Sequence, residues 1–220
     1  MNFGLAFSYV FKDKDWFKKI AIPALCGLIP IVGGFVVSGW ALKVTKNVIE
    51  GNLEHALPEL DFGADLGRGF KAAIITLIFS LPAIVFGSIG GAMLGSGIEN
   101  EVLFTSIIGG CLTLFAILIS LLIAFLGTTG LANFVAKDKF GAAFNFKETF
   151  GLLKKSFVSW LLVLLAQILS VSIIAPLGAI ACGIGAILTG AYGMAFANHL
   201  LGQAYNKSVL PGVVDVEPLE

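Results

Sequence analysis

Glu59, Asp61 and Asp65 stand within three turns of Arg68, and carboxylates that close to a guanidinium are the raw material for a general acid and base. A helix starting near residue 61 would place the same charges at its N-terminus, where they oppose the helix dipole, so charge placement accounts for them with less. His55 shares an acidic loop with Glu50, Glu54 and Glu59, which reads as hydrated rather than metal-binding. His199 has no Cys, Asp, Glu or His at helical spacing and lies about two turns from Lys207. It is expected near the surface as a solvated or capping residue, not a ligand. Cys26, Cys111 and Cys182 each lie in an uncharged stretch, where a thiol behaves as a small apolar group, and their odd number argues against a disulfide framework. GxSxG, HExxH, Walker and dinucleotide patterns are absent from any suitable context. No catalytic residue, cofactor or metal is expected, and the chain reads as a non-enzyme.

The remaining polar and small residues point to packing. Gln167 sits deep in an apolar run, where its amide needs an interhelical hydrogen bond, and Asn133 and Asn198 admit the same reading. Gly87, Gly91 and Gly95 form two overlapping GxxxG patterns, a smooth face open to close helix approach. Gly109 and Gly110 begin the next apolar run just across a short loop, which favours an intramolecular partner. A dimer through the same face is the second reading.

The elements that carry these residues are membrane helices. Of the 220 residues 57% are hydrophobic and 13% charged, and the mean hydropathy is +0.95, outside the range of a soluble domain. Four uncharged blocks, residues 20–42, 72–98, 102–136 and 156–206, remain when charged positions are removed. A crossing needs ~20 apolar residues, so the second and third blocks cross once and the fourth twice. Strands of alternating polarity are missing, which excludes an outer-membrane barrel. Fourteen basic and fourteen acidic residues cancel, and no basic groove with interleaved aromatics exists, so nucleic acid is excluded as a partner.

Basic residues cluster at 12–19, 43–71, 137–155 and Lys207, and are missing from the connection 99–101 and from the turn expected around Pro176. Basic loops stay cytoplasmic, which places the chain in the cell membrane with both termini inside. That rule conflicts with a single crossing by residues 20–42, and Pro30, Gly33 and Gly34 supply a place to turn back, so a re-entrant hairpin is expected there. The N-terminus does not read as a cleaved signal: Asp13 and Asp15 interrupt it and no small-residue cleavage pattern follows.

Phe3-Gly4, Phe62-Gly63 and Phe140-Gly141 each open a short amphipathic stretch ahead of an apolar block. The fold class is therefore all-α, an integral membrane bundle of three helical hairpins, each preceded by an interfacial segment: residues 1–52, 60–138 and 139–205, with a disordered tail from 206 to 220. Phe3, Phe7, Phe140 and Phe144 are expected on the membrane-facing side of those segments, with Trp16, Trp40, Trp160 and Tyr205 as interface anchors beside basic residues.

Asn2 to Phe7, Lys12 to Lys19, Ile29 to Gly33, Leu57 to Gly63, Ala142 to Phe146 and His199 to Tyr205, taken in order, resemble the domain-of-unknown-function 4013 family of archaeal and bacterial membrane proteins. The resemblance implies a multi-helix membrane protein with no assigned activity, and transfers no functional residue. The bilayer is the expected partner, together with other membrane proteins or a second copy. An accessory component or scaffold is the first functional expectation, and a channel or carrier for a small neutral solute the alternative.

Overall fold

The computed structural model describes residues 1–180 and 184–209, and every regular element among them is helical. The first two helices are short because polar residues break them. α1 (Phe3–Lys12) is capped by Asn2, whose side chain accepts from the Leu5 amide, and α2 (Trp16–Cys26) follows the charged corner at 13–15. The chain then turns over residues 27–31, with Ile31 at φ 64°, and enters α3 (Val32–Ile49). Gly33 is needed at this turn, because a β-carbon there would overlap the Cys26 carbonyl. Lys19, in the first turn of α2, donates to the Leu57 carbonyl (3.3 Å), and Lys12 pairs with Glu54 (2.7 Å). The start of α2 and the segment after α3 therefore share one end of the molecule. The first block goes out and comes back, on an outward arm of only ~16 Å.

α4 (Phe62–Glu99) and α5 (Leu103–Lys137) form a long antiparallel hairpin. Asp61 caps α4 by accepting from the Ala64 amide (3.2 Å), while Asp65 reaches back to the Asp61 amide (2.8 Å). At 38 and 35 residues these helices measure about 57 and 52 Å, well beyond the ~30 Å of a hydrocarbon core. The second Phe-Gly motif is thus the first turn of α4 and not a separate interfacial segment. No breaker stands between Phe62 and the apolar run, whereas Asp13 and Ser156 interrupt the helix in the other two hairpins.

Beyond α5 a 3₁₀ turn (Phe140–Phe144) leads to α6 (Phe146–Lys155), capped by Asn145, and then α7 (Phe157–Leu169). α7 runs through a π turn (Ser170–Ile174) into α8 (Ala175–Leu177) and a last 3₁₀ turn (Gly178–Ile180). Pro176 can donate no helical bond, and the widened turn before it absorbs that loss. Helix continues past Pro176 to Leu177 and a 3₁₀ turn follows to Ile180, so the chain does not turn at Pro176 as expected; Cys182 lies outside the described residues. α9 (Ile184–Val209) returns antiparallel to α7 and touches α1, α2, α3, α5, α6 and α7. It extends to Val209 and buries Ser208, which corrects the expectation of a tail beginning at 206. Residues 210–220 lie outside the described residues.

Among the described residues, three helical stretches are long and apolar enough to cross a membrane: Phe62–Glu99, Leu103–Lys137 and Phe157–Leu177. Asn2 and Gln203 exchange two hydrogen bonds (2.7 and 3.1 Å), so the N-terminus lies at the end of the bundle where α9 finishes.

Candidate functional site

α3 and α4 cross at near backbone contact. A β-carbon on Gly39 would overlap the Asp65 carbonyl, and one on Gly69 the Phe35 carbonyl. Immediately below this crossing the Asp65 side chain is fully buried. Its Oδ2 lies 2.8 Å from Lys43 Nζ and accepts the Asp61 amide, while its Oδ1 accepts from Arg68 Nη1 (3.1 Å). Lys43 also donates to the Glu59 carbonyl (2.6 Å). Both carboxylate oxygens are held by structural donors, so the cluster ties α3 to α4 and presents no free base. Charge placement at the helix start holds for Asp61. Asp65, by contrast, is an interhelical ion partner, found by no local pattern because Lys43 is supplied by α3.

Above the crossing a cavity of about 450 Å³ opens between α3, α4, α5, α7 and α9. Ser38, Thr76, Ser80, Gln167 and Asn198 bring neutral polar groups to its wall. Thr76 and Ser80 turn their hydroxyls back onto the Ala72 and Leu77 carbonyls (3.0 and 2.9 Å). Asn198 is likewise engaged, accepting from Thr45 (3.0 Å) and donating to the Met194 carbonyl (2.9 Å). The Ser38 hydroxyl and the Gln167 amide have no hydrogen-bond partner among the described residues. Gln167 therefore does not make the interhelical bond expected of it and faces the cavity instead.

His199 is buried, not solvated. Its ring lies 4.3 Å from that of Tyr9, Nε2 donates to the Leu53 carbonyl (2.8 Å), and Nδ1 accepts from the Gln203 amide (3.0 Å). Leu53 belongs to the loop after α3 and Tyr9 to α1, so the burial comes from chain folded over α9 by distant sequence. Asn133 binds the Ala142 carbonyl (2.9 Å) and Glu148 Oε2 (3.2 Å), joining α5 to the segment behind it. The Lys137 ammonium beside Glu148 holds its carboxyl below the ordinary glutamate value; partial burial opposes this and the Asn133 amide assists it.

Within the long hairpin the close contacts differ in register from the GxxxG pattern. A β-carbon on Gly90 would come within 2.6 Å of the Thr113 amide, one on Gly97 would reach Ser106, and one on Gly109 would overlap Leu94. Gly87 is in ordinary contact with Ala116 (3.7 Å) and Gly110 grazes Leu94 (4.0 Å). Gly91 and Gly95 face open space, away from α5. A four-residue spacing cannot say which of two adjacent glycine rows meets the partner.

Of the residues expected at the membrane interface, Phe3, Phe7, Trp16 and Phe140 are exposed, and Phe144 is half-buried against Phe79. Trp40, Trp160 and Tyr205 depart from the expectation, all three being buried. The two indoles donate to the Pro58 and Leu152 carbonyls, each at 3.0 Å. A polar-edged ring beside basic residues suits a headgroup, but a loop carbonyl at the same level satisfies it equally well.

Residues 22–189 match the model of the family described as "Protein of unknown function (DUF4013)", three quarters of the chain. The chain belongs to the DUF4013 family. No curated protein and no solved structure matches it. The DUF4013 match takes in the motifs at 29–33, 57–63 and 142–146, leaves those at 2–7, 12–19 and 199–205 outside it, and adds no ligand or activity to the cavity just described.

Proposed function

We propose that this DUF4013 protein is a non-enzymatic component of the cell membrane, with its basic segments and both termini on the cytoplasmic side, whose α4–α5 arm packs with lipid and with other membrane proteins. The exposure of that arm carries the reading. Only 17% and 11% of the most apolar stretches of α4 and α5 are covered by the rest of the protein. Leu81, Ile84, Phe104, Leu118 and Leu121 are about half exposed or more. Ser88, Ser96 and Ser120 return their hydroxyls to carbonyls of their own helices, as polar groups facing hydrocarbon must. Such a surface is far larger than a monomer in water tolerates. Native mass spectrometry after mild detergent extraction tests the proposal. Retained lipid or a co-purifying membrane protein is expected, and a bare monomer would contradict it.

The unpartnered Ser38 hydroxyl and Gln167 amide support a second reading, that the central cavity holds a small neutral hydrogen-bonding solute. In that case liposomes carrying the protein pass such a solute, and Gln167→Leu abolishes the flux. Equal flux through both proteins would remove the reading.

A further inference from the structure

On the opposite side of α9 lies a second cavity of about 410 Å³, of a different character from the first. Its wall is wholly apolar and built on an aromatic run. Phe7 meets Tyr192 edge-on (5.6 Å), Phe11 lies 5.7 Å from Tyr192 and 5.1 Å from Trp16, and Trp16 is 5.7 Å from Phe17. The Tyr192 hydroxyl is spent on the Phe7 carbonyl (2.6 Å), fixing α1 to α9, and the Thr189 hydroxyl is turned onto the Ala175 and Gly185 carbonyls (2.9 and 3.0 Å). From the corner between α1 and α2 the groove extends to Leu177 on the far hairpin, and Phe7, Phe11, Phe17 and Leu177 are each about half exposed, so it is open along its side.

The corner at the head of this groove carries four lysines between residues 12 and 19. Lys12 pairs with Glu54 and Lys19 with Asp13. Lys14 and Lys18, which bracket Trp16 and Phe17 in sequence, have no ion pair among the described residues. Residues 12–19 carry four lysines against Asp13 and Asp15, so the segment that supplies Trp16 and Phe17 to the groove is net basic, and an apolar groove flanked in the chain by such a segment matches a molecule with a long hydrocarbon tail and an anionic head. Its volume is in the ~300–1,000 Å³ range of ligand sites.

We propose that this groove is a binding site for an anionic phospholipid, with one acyl chain along the Phe7-Phe11-Trp16-Phe17 wall and its phosphate at Lys14 and Lys18. The inference rests on the reading of the chain as a membrane component, and makes one lipid class a specific ligand rather than bulk solvent.

Trp16 supplies the test. Trp40 and Trp160 are fully buried while Trp16 is exposed in the groove, so acyl chains bearing bromine quench chiefly Trp16. The full-length protein is reconstituted into phosphatidylcholine vesicles containing brominated phosphatidylglycerol or, separately, brominated phosphatidylcholine, with Trp16→Phe to assign the signal. Brominated phosphatidylglycerol is expected to reach half-maximal quenching at a mole fraction about five-fold lower than its zwitterionic counterpart. In the Lys14→Gln/Lys18→Gln double variant the two lipids are expected to quench alike. Equal quenching in the unsubstituted protein, or a preference that survives the double substitution, would overturn the site while leaving the membrane reading intact. Absence of quenching by either lipid would overturn both.

Discussion

Asp65 holds α3 and α4 together because its buried carboxylate is shared by Lys43 and Arg68, and taking it away leaves two cations facing a gap beside the Gly39 and Gly69 crossing. Breaking a buried pair from one side costs about 3–5 kcal/mol, and the partial exposure of both cations lowers this. Asp65→Ala is expected to destabilise the protein by ~2–4 kcal/mol in unfolding titrations with a denaturing detergent. A loss below ~0.5 kcal/mol would show that the cluster is ornamental. Other residue roles were only partly legible. The burial of His199 was not readable, since Tyr9 and Leu53 reach it from segments more than 140 positions away. Gln167 was recognised as an amide in an apolar helix. That it would open into a cavity depended on the spacing of five helices, which no single segment encodes.

Helices and their breaks follow the local chemistry of the chain more closely. Asn2, Asp61 and Asn145 cap the helices that follow them, and Pro30 with Gly33 marks the turn that sends the first hairpin back. What hydrophobic pattern leaves open is which face of a helix meets which neighbour. Gly90, Gly97 and Gly109 form the α4–α5 contact and Gly39 with Gly69 the α3–α4 crossing, while the more conspicuous Gly91 and Gly95 look outward. Two substitutions separate these classes. Gly69→Ala must push apart backbones already in contact and is expected to cost about 3 kcal/mol or more, because overlap with a main-chain carbonyl cannot be relieved by a rotamer change. Gly91→Ala adds a methyl to open space and is expected to change stability by less than ~1 kcal/mol. Similar losses from both, in the same detergent titration, would place the helix contact on the wrong row.

At the scale of the whole molecule, each apolar excursion returns to the end it left. Lys19 reaches Leu57, Lys46 pairs with Asp138 (3.3 Å), and Asn2 binds Gln203, so the corner before α2, the ends of α3 and α5, and the N-terminus gather at one end of the bundle with the later part of α9. The connection at 100–102 lies at the far tip of the α4–α5 hairpin. Lysines cluster in the sequence in these same segments, and the proposed function puts that end of the bundle on the cytoplasmic side because charge resists translocation. The size of the hairpin arm and the placing of Trp40 and Trp160 inside the protein could not be anticipated, because both are set by contacts between segments. The central claim, an out-and-back chain with its basic ends on the cytoplasmic face, is tested most directly by labelling single cysteines with a membrane-impermeant maleimide in intact cells. Ser8→Cys, Asn100→Cys and Asn206→Cys are introduced singly into a protein whose Cys26, Cys111 and Cys182 are replaced by Ala. Asn100→Cys is expected to react from outside, while Ser8→Cys and Asn206→Cys react only after the cells are opened; external labelling of Ser8→Cys with protection of Asn206→Cys would show that the first block crosses the membrane and would contradict the account.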